Sequence, residues 1–307
     1  MGGSGSGYFS SEPGSLIRQI RDSQDATEVE SFEVACNSEL SGLLSEFNDR
    51  NTGAVNTHLD EIANALSKDQ ESLVRLAFGG SVAKRTYVEG LSDVDCLVYL
   101  DNTKMENASP QEAKDYLEQR LKERFPRTPI TQGRLAITIQ FLDCEIQLLP
   151  AKRSGGAIRI PDQTGESWST VLRPREFAKK LTETNAANGG KVVPVVKLAK
   201  AIIANLGDKQ KVSGYHAESL AVEAFENYQG LRTPKAMLVH YFKESAQRVM
   251  GPIRDSTGQS VHVDEYLGQP SSLERRIVSD AFARVERRMR TADTTQNVGD
   301  WLKLFDT

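Results

Sequence analysis

From residue 78 the chain reads Phe78-Gly79-Gly80-Ser81-Val82-Ala83-Lys84-Arg85-Thr86, and a little further on Ser92-Asp93-Val94-Asp95-Cys96. Asp93 and Asp95 are two residues apart. On a strand such residues share a face, so the two carboxylates stand together while Val94 turns toward a core. Close carboxylates repel each other unless a cation lies between them. Hard oxygen donors of this kind select Mg²⁺ or Mn²⁺. Gly79 and Gly80 let the backbone approach a ligand closely, and Ser81 offers a hydroxyl and an N–H to phosphate oxygens. An isolated Asp-x-Asp is more often a turn or a solvated strand edge. Here a Gly-Gly-Ser turn precedes it and the apolar run Cys96-Leu97-Val98-Tyr99-Leu100 follows, which favours a metal site. Neither a Gly-x4-Gly-Lys-[Ser/Thr] loop nor a Gly-x-Gly-x-x-Gly fingerprint occurs in this segment, so it is neither a P-loop nor a dinucleotide turn.

The elements that must position these residues follow from periodicity. Two helices are expected in 33–68, the second capped by Asn51 or Thr52 and facing inward through Val55, Leu59, Ile62 and Leu66. Strands are expected at 73–78 and 93–100, a helix at 110–124, and a hairpin of 134–141 with 145–150 around Leu142-Asp143-Cys144. From Pro174 the pattern is helical: 174–184, 194–206, 214–228, 233–245 and 271–291. That order predicts an α+β class, with a mixed-sheet lobe followed by an α-helical C-terminal lobe. The expected divisions are a flexible Gly/Ser-led segment at 1–32, a catalytic lobe with its N-terminal helices at 33–172, and a helical nucleotide-binding lobe at 173–307.

The 307 residues carry 38 Lys+Arg against 42 Asp+Glu, a net charge of -4. A globally basic nucleic-acid binder is therefore excluded, but charge is segregated along the chain. Residues 1–70 hold 4 basic and 12 acidic side chains, whereas 171–215 hold 9 basic and 3 acidic. The three cysteines form no CxxC pair, which suits a reducing compartment. The most apolar stretch, Val192 to Leu206, is interrupted by Lys197 and Lys200, so no membrane insertion is expected. With no secretory pattern at the N-terminus, a cytoplasmic location is expected.

Gly-Gly-Ser followed by Ser-Asp-Val-Asp resembles the signature of the polymerase-β nucleotidyltransferase superfamily. More narrowly, the chain resembles the CD-NTases, the bacterial relatives of cyclic GMP–AMP synthase and oligoadenylate synthetase in antiphage signalling. The resemblance runs from about residue 40 to residue 228, and more faintly to the C-terminus. Leu148-Leu149-Pro150-Ala151 is similar to the end of the family's third catalytic strand. Lys197-Leu198-Ala199-Lys200 followed by Ser213-Gly214-Tyr215-His216-Ala217-Glu218 is similar to its donor-gripping helical motif.

What the resemblance implies is a polymerase-β-like lobe and a Mg²⁺-dependent (or Mn²⁺-dependent) transfer. In that reading Asp93 and Asp95 hold the metal, Gly80 and Ser81 bind the β- and γ-phosphates, Lys197 and Lys200 face the cleft with Lys200 neutralising the triphosphate, and Tyr215 stacks on the donor base beside Ser213. The implied partners are nucleoside triphosphates, a short oligonucleotide acceptor, and an effector protein that receives the nucleotide product.

The pattern is broken in two places. Gln147 stands where the family supplies its third carboxylate, leaving Glu145, two residues earlier, as the candidate third catalytic and metal-binding acid and Gln147 as a nucleotide contact. Gly214 displaces the serine that precedes the tyrosine. The alternatives this leaves are a template-independent oligonucleotide polymerase, deoxynucleotides included, or a nucleotide-binding pseudoenzyme. Asp143 is expected in the hairpin turn, Lys84 and Arg85 beside the phosphates, Trp168 as the anchor of the 154–168 loop, and His216 as structural. The four histidines are scattered, which gives a zinc site almost no support in the sequence.

Overall fold

The structure is a computed structural model that describes residues 13–49, 52–67, 75–88, 94–155, 157–162, 164–169, 174–253 and 263–306. Its first two helices are α1 (Pro13–Asn48) and α2 (Thr52–Ser67). Strand β1 (Arg75–Phe78) leads through the short helix α3 (Gly80–Ala83) to β2 (Val94–Tyr99). Helix α4 (Pro110–Arg124) precedes β3 (Ile130–Gln132), β4 (Ile137–Gln140), β5 (Glu145–Ser154) and β6 (Ala157–Arg159). The remainder is helical: α5 (Pro174–Ala187), α6 (Val192–Ala204), α7 (Gly214–Ala224), α8 (Pro234–Arg248), α9 (Leu273–Thr294) and α10 (Val298–Leu302).

The strands form one sheet in the order β1-β2-β5-β4-β3, with β6 paired to β5. β2 and β5 run parallel and the other pairs antiparallel, so the sheet is mixed and the α+β class is as expected. Burial along β2 alternates, with Val94, Cys96 and Val98 turned into the sheet core and Asp95, Leu97 and Tyr99 on the other face. The core beneath is closed by Ile62 and Leu66 of α2 and by Leu117 and Leu121 of α4. Helix α4 starts where a capping box dictates: the Ser109 hydroxyl accepts the Glu112 N–H, the Glu112 carboxylate accepts the Ser109 N–H at 2.8 Å, and Pro110 takes the first helical position.

A second core belongs to the helical lobe. α6 is apolar nearly all round because it is central, with Val195, Val196, Leu198, Ala199 and Ile202 buried in the core it shares with α1, α7 and α8. α1 corrects two expectations. It begins at Pro13, so residues 13–32 are helix and not part of a flexible segment. It also belongs by packing to the helical lobe, because Phe32, Cys36 and Leu40 enter that second core. The Lys235 N–H donates to Asn37 Oδ1 at 3.0 Å and its ammonium pairs with Glu33, fastening α1 to α8.

Further differences are local. β5 continues past Pro150 to Ser154, and β3, β6 and α10 escaped the periodicity analysis because each is five residues or fewer. The loop after β5 is anchored as expected: Trp168 Nε1 donates to Ala108 O at 3.1 Å, and the Lys152 ammonium lies 4.4 Å from the Trp168 ring centre.

Candidate active site

The turn after β1 is built around Asp95. The Gly79 N–H donates to Asp95 O at 2.8 Å, and the Ser81 N–H reaches Asp95 Oδ2 at 3.3 Å. Gly80 has φ +45°, and a Cβ there would lie 1.6 Å from Asp95 Oδ2, so only glycine fits. Thr86 N–H donates to Ser81 O at 2.9 Å and closes the loop. Ser81 is buried, and its hydroxyl has no hydrogen-bond partner among the described residues. A buried hydroxyl is seldom left so unless it awaits one.

This turn forms one wall of a cavity of about 360 Å³, contributing Gly80, Ser81, Lys84 and Asp95. The facing wall comes from the helical lobe: Lys200 and Ile203 of α6, and Gly214, Tyr215 and Glu218 of α7, with Lys211 and Val212 between them. Glu218 is 1% exposed and ties the walls together. One carboxylate oxygen accepts from Lys200 Nζ at 2.7 Å and from the Thr86 hydroxyl, and the other pairs with Lys84. Lys200 Nζ also donates to Thr86 O at 3.1 Å. The Lys84 ammonium stands 5.0 Å from the Tyr215 ring centre, and Phe177 meets that ring edge-on at 4.7 Å.

Burial raises the pKa of the Asp95 carboxyl above the ordinary range, against the Ser81 N–H, Lys84 and Lys200. Burial lowers that of Lys200, although Glu218 opposes it. For Glu218 itself burial acts upward, but Lys84 and Lys200 outweigh it and hold the carboxyl below its usual value. His216 is buried, accepts or donates at Nδ1 with the Tyr266 hydroxyl at 2.7 Å, and is pushed down to about 4 by burial.

The residues singled out from the sequence divide as follows. Gly80, Ser81, Asp95, Lys200 and Tyr215 meet on the cavity. Asp93 lies outside the described residues. Gln147 is the direct cross-strand partner of Asp95 on β5, and Glu145 lies one same-face step earlier, opposite Gln140; both are half-buried and neither is among the lining residues. Lys197 turns the other way, donating to Asn48 of α1, so the expected pair of cleft-facing lysines is reduced to Lys200. Ser213 caps α7, its hydroxyl accepting the His216 N–H at 3.2 Å. Glu218 closes the segment from Ser213 that resembles the family's donor-gripping motif, but the sequence assigns it no role. The available signal was a carboxylate inside the otherwise uncharged run Ala217 to Val222, three residues after Tyr215 and hence on its helical face.

Asp95, the partnerless Ser81 hydroxyl and the side-chain-free approach over Gly80 fit a hard divalent cation carrying phosphate oxygens. Two lysines on the opposite side suit a polyanion.

A glycine-serine turn against a strand aspartate, on a mixed sheet capped by a helical lobe, defines a polymerase-β-like nucleotidyltransferase fold. Residues 35–185 match the family model of the Second Messenger Oligonucleotide or Dinucleotide Synthetase domain, just under half of the chain. Solved CD-NTases share the whole fold. CdnG of Bradyrhizobium diazoefficiens in complex with GTP aligns with TM-score 0.66 at 13% identity, over 88% of this chain and 97% of its own. CdnC of E. coli MS115-1 with ATP gives 0.60 at 16% identity over 82% and 91%. DncV cyclic AMP-GMP synthase of Vibrio cholerae, with the linear intermediate 5' pppA(3',5')pG, gives 0.61 at 11% over 97% and 90%. The resemblance drawn from the sequence is thus borne out. No curated protein matches the chain at a significant score.

Proposed function

We propose that the protein is a divalent-metal-dependent nucleotidyltransferase that joins nucleoside triphosphates, releasing pyrophosphate, into a cyclic or linear oligonucleotide signal. The observation that carries this reading is the meeting of Asp95 and Ser81 with Lys200 and Tyr215 on a single cavity. The nucleotides named in the CdnG, CdnC and DncV structures support a triphosphate donor.

Transfer of a nucleotidyl group demands positioning and cations far more than a covalent nucleophile. Mg²⁺ (or Mn²⁺), when bound, supplies charge neutralisation over the triphosphate and polarises the phosphoryl oxygens. Asp95, with Asp93 beside it in sequence, is the residue to hold it. The Ser81 hydroxyl and the open backbone at Gly80 bind the β- and γ-phosphates, and Lys200 and Lys84 neutralise them from two sides. Tyr215 presents its ring to the donor base. The acceptor is a ribose hydroxyl, of a second nucleotide or of a short oligonucleotide. The product then acts on a separate effector protein, in the cytoplasm and in antiphage defence. Among the described residues no helix is long and apolar enough to cross a membrane.

Gln147 favours a second reading. It places a neutral amide beside Asp95 where a third acid belongs, so a nucleotide-binding protein with weak catalysis is the alternative. Labelled triphosphates with Mg²⁺ or Mn²⁺, followed by mass spectrometry of the products, separate the two. Pyrophosphate release that falls at least about 1,000-fold in Asp95→Asn supports catalysis. Tight triphosphate binding without turnover under either metal establishes the alternative. Glu145→Ala compared with Gln147→Ala assigns the third ligand, and equal activity in both leaves the aspartates as the whole metal site.

A further inference from the structure

Away from the cavity, the turn between β4 and β5 meets α2. His58, Asp143 and Cys144 bring one donor atom each to within 4.8 Å of one another. The sequence hides this group, because His58 and Asp143 are 85 residues apart. The His58 ring is clamped flat on Phe141, centroids 3.8 Å apart at 11°, and Phe125 meets Phe141 edge-on. Its Nδ1 is buried and has no partner among the described residues, and Nε2 is the atom turned to the open side, 2.8 Å from Asp143 Oδ1. The side chains of His58 and Asp143 are 21% and 44% exposed, and Cys144 is half-buried, so an ion has access.

We propose that His58 Nε2, the Asp143 carboxylate and the Cys144 thiolate form a binding site for a zinc-class divalent ion, distinct from the site at Asp95. A thiolate with an imidazole selects Zn²⁺ or Co²⁺ over Mg²⁺. Tetrahedral zinc with bonds of about 2.0–2.3 Å keeps its donors roughly 3.3–3.8 Å apart. The His58–Asp143 contact therefore opens by about half an ångström and the sulfur closes by up to about 1 Å, movements that rotamers at an exposed turn supply. On binding, the thiol proton leaves to solvent and the imidazole proton moves from Nε2 to Nδ1. Nδ1 has no acceptor among the described residues, so affinity is about 10–100-fold below that of zinc sites whose histidine has such a partner. With three protein donors, the fourth position is left to water. The ion joins α2 to the turn immediately before Glu145, the first residue of β5.

The test uses the full chain with Mg²⁺ in excess and Co²⁺ as a coloured substitute. One equivalent of Co²⁺ gives an intense thiolate-to-cobalt band that Zn²⁺ displaces. Cys144→Ser removes the band, His58→Gln weakens binding by about 100-fold or more, and Asp95→Asn keeps it. No thiolate band in the unaltered protein, or a band that survives Cys144→Ser, overturns the proposal. A variant-free measurement guards against misfolding. Burial pushes the Cys36 and Cys96 thiols up to about 12, which leaves Cys144 as the thiol open to alkylation. Zn²⁺ slows that alkylation at least about 10-fold; an unchanged rate also overturns the site.

Discussion

On the sheet-lobe wall of the cavity, Asp95 is placed mainly by backbone geometry, whereas on the helical-lobe wall Lys200 is placed by charge. Asp95 faces the cavity because strand residues alternate and because its register opposite Gln147 fixes how far along β2 it stands. Gly80 then brings the turn within reach of its carboxylate. Lys200 is held by the buried Glu218, which also draws Lys84 and Thr86 across from the sheet lobe. The first wall tolerates no added atoms, and its Asp95 carboxyl, raised by burial, is sensitive to acid. The second tolerates changes of shape but needs one particular negative charge. A cleft between lobes gains from this division. The part that holds a cation is rigid, and the part that grips a polyanion can exchange its internal counter-charge for the ligand's.

The sharpest way to break the comparison is Glu218→Gln, which keeps the shape and removes the charge. Two cations are then left sharing a buried amide, and stability falls by on the order of 3 kcal/mol in denaturant titration. The pH profile reports more. Burial already lowers the Lys200 pKa and Glu218 is what holds it up. Without that carboxylate Lys200 loses its proton at lower pH, so the alkaline limb of activity moves toward neutrality. If stability drops but the limb stays in place, Glu218 is only a structural strut.

Gly80→Ala probes the other wall. A methyl group there meets the Asp95 carboxylate at 1.6 Å, and the backbone holds a φ that alanine adopts poorly. The carboxylate must swing away from the turn. Misplacing a reacting group by about 1 Å costs roughly 100-fold in rate, about 2.7 kcal/mol, and this loss should be constant at every pH above the range in which the Asp95 carboxyl, raised by burial, takes up its proton. A pH-dependent loss in pyrophosphate release above that range would mean that charge also rules this wall.

That division also explains what the sequence discloses. Gly80, Ser81 and Asp95 are legible because steric rules admit few residue types, and such rules leave a motif. Tyr215 and Lys200 come through on the resemblance of the helical segments. Glu218 does not, since a buried ion pair joins residues 134 apart to no fixed pattern. Lys197 misleads for the same reason. Its spacing from Lys200 is that of one helix face, but Asn48 on α1 captures it, and nothing in the periodicity of 192–204 announces that α1 lies there. The long helices are largely recovered from their apolar stripes. α1 defeats this approach because its first half lacks one, being exposed where described before Phe32.

The smallest effect extends the comparison along α7. His216 follows Tyr215, is buried neutral, and titrates in the folded protein near 4, against about 6.5 when unfolded. Between those values the unfolded chain binds the extra proton, so stability rises with pH across the window and is complete above about 6.5. By pH 5 the loss amounts to about 2 kcal/mol. Unfolding of the protein and of His216→Asn, measured from pH 7 down to pH 5, should give converging curves, since the variant lacks this slope whatever its stability at pH 7. Parallel curves would place the acid sensitivity elsewhere. Convergence would make α7, which carries both Tyr215 and Glu218, the element of the charge-held wall that acid loosens while the Gly80 turn keeps its geometry.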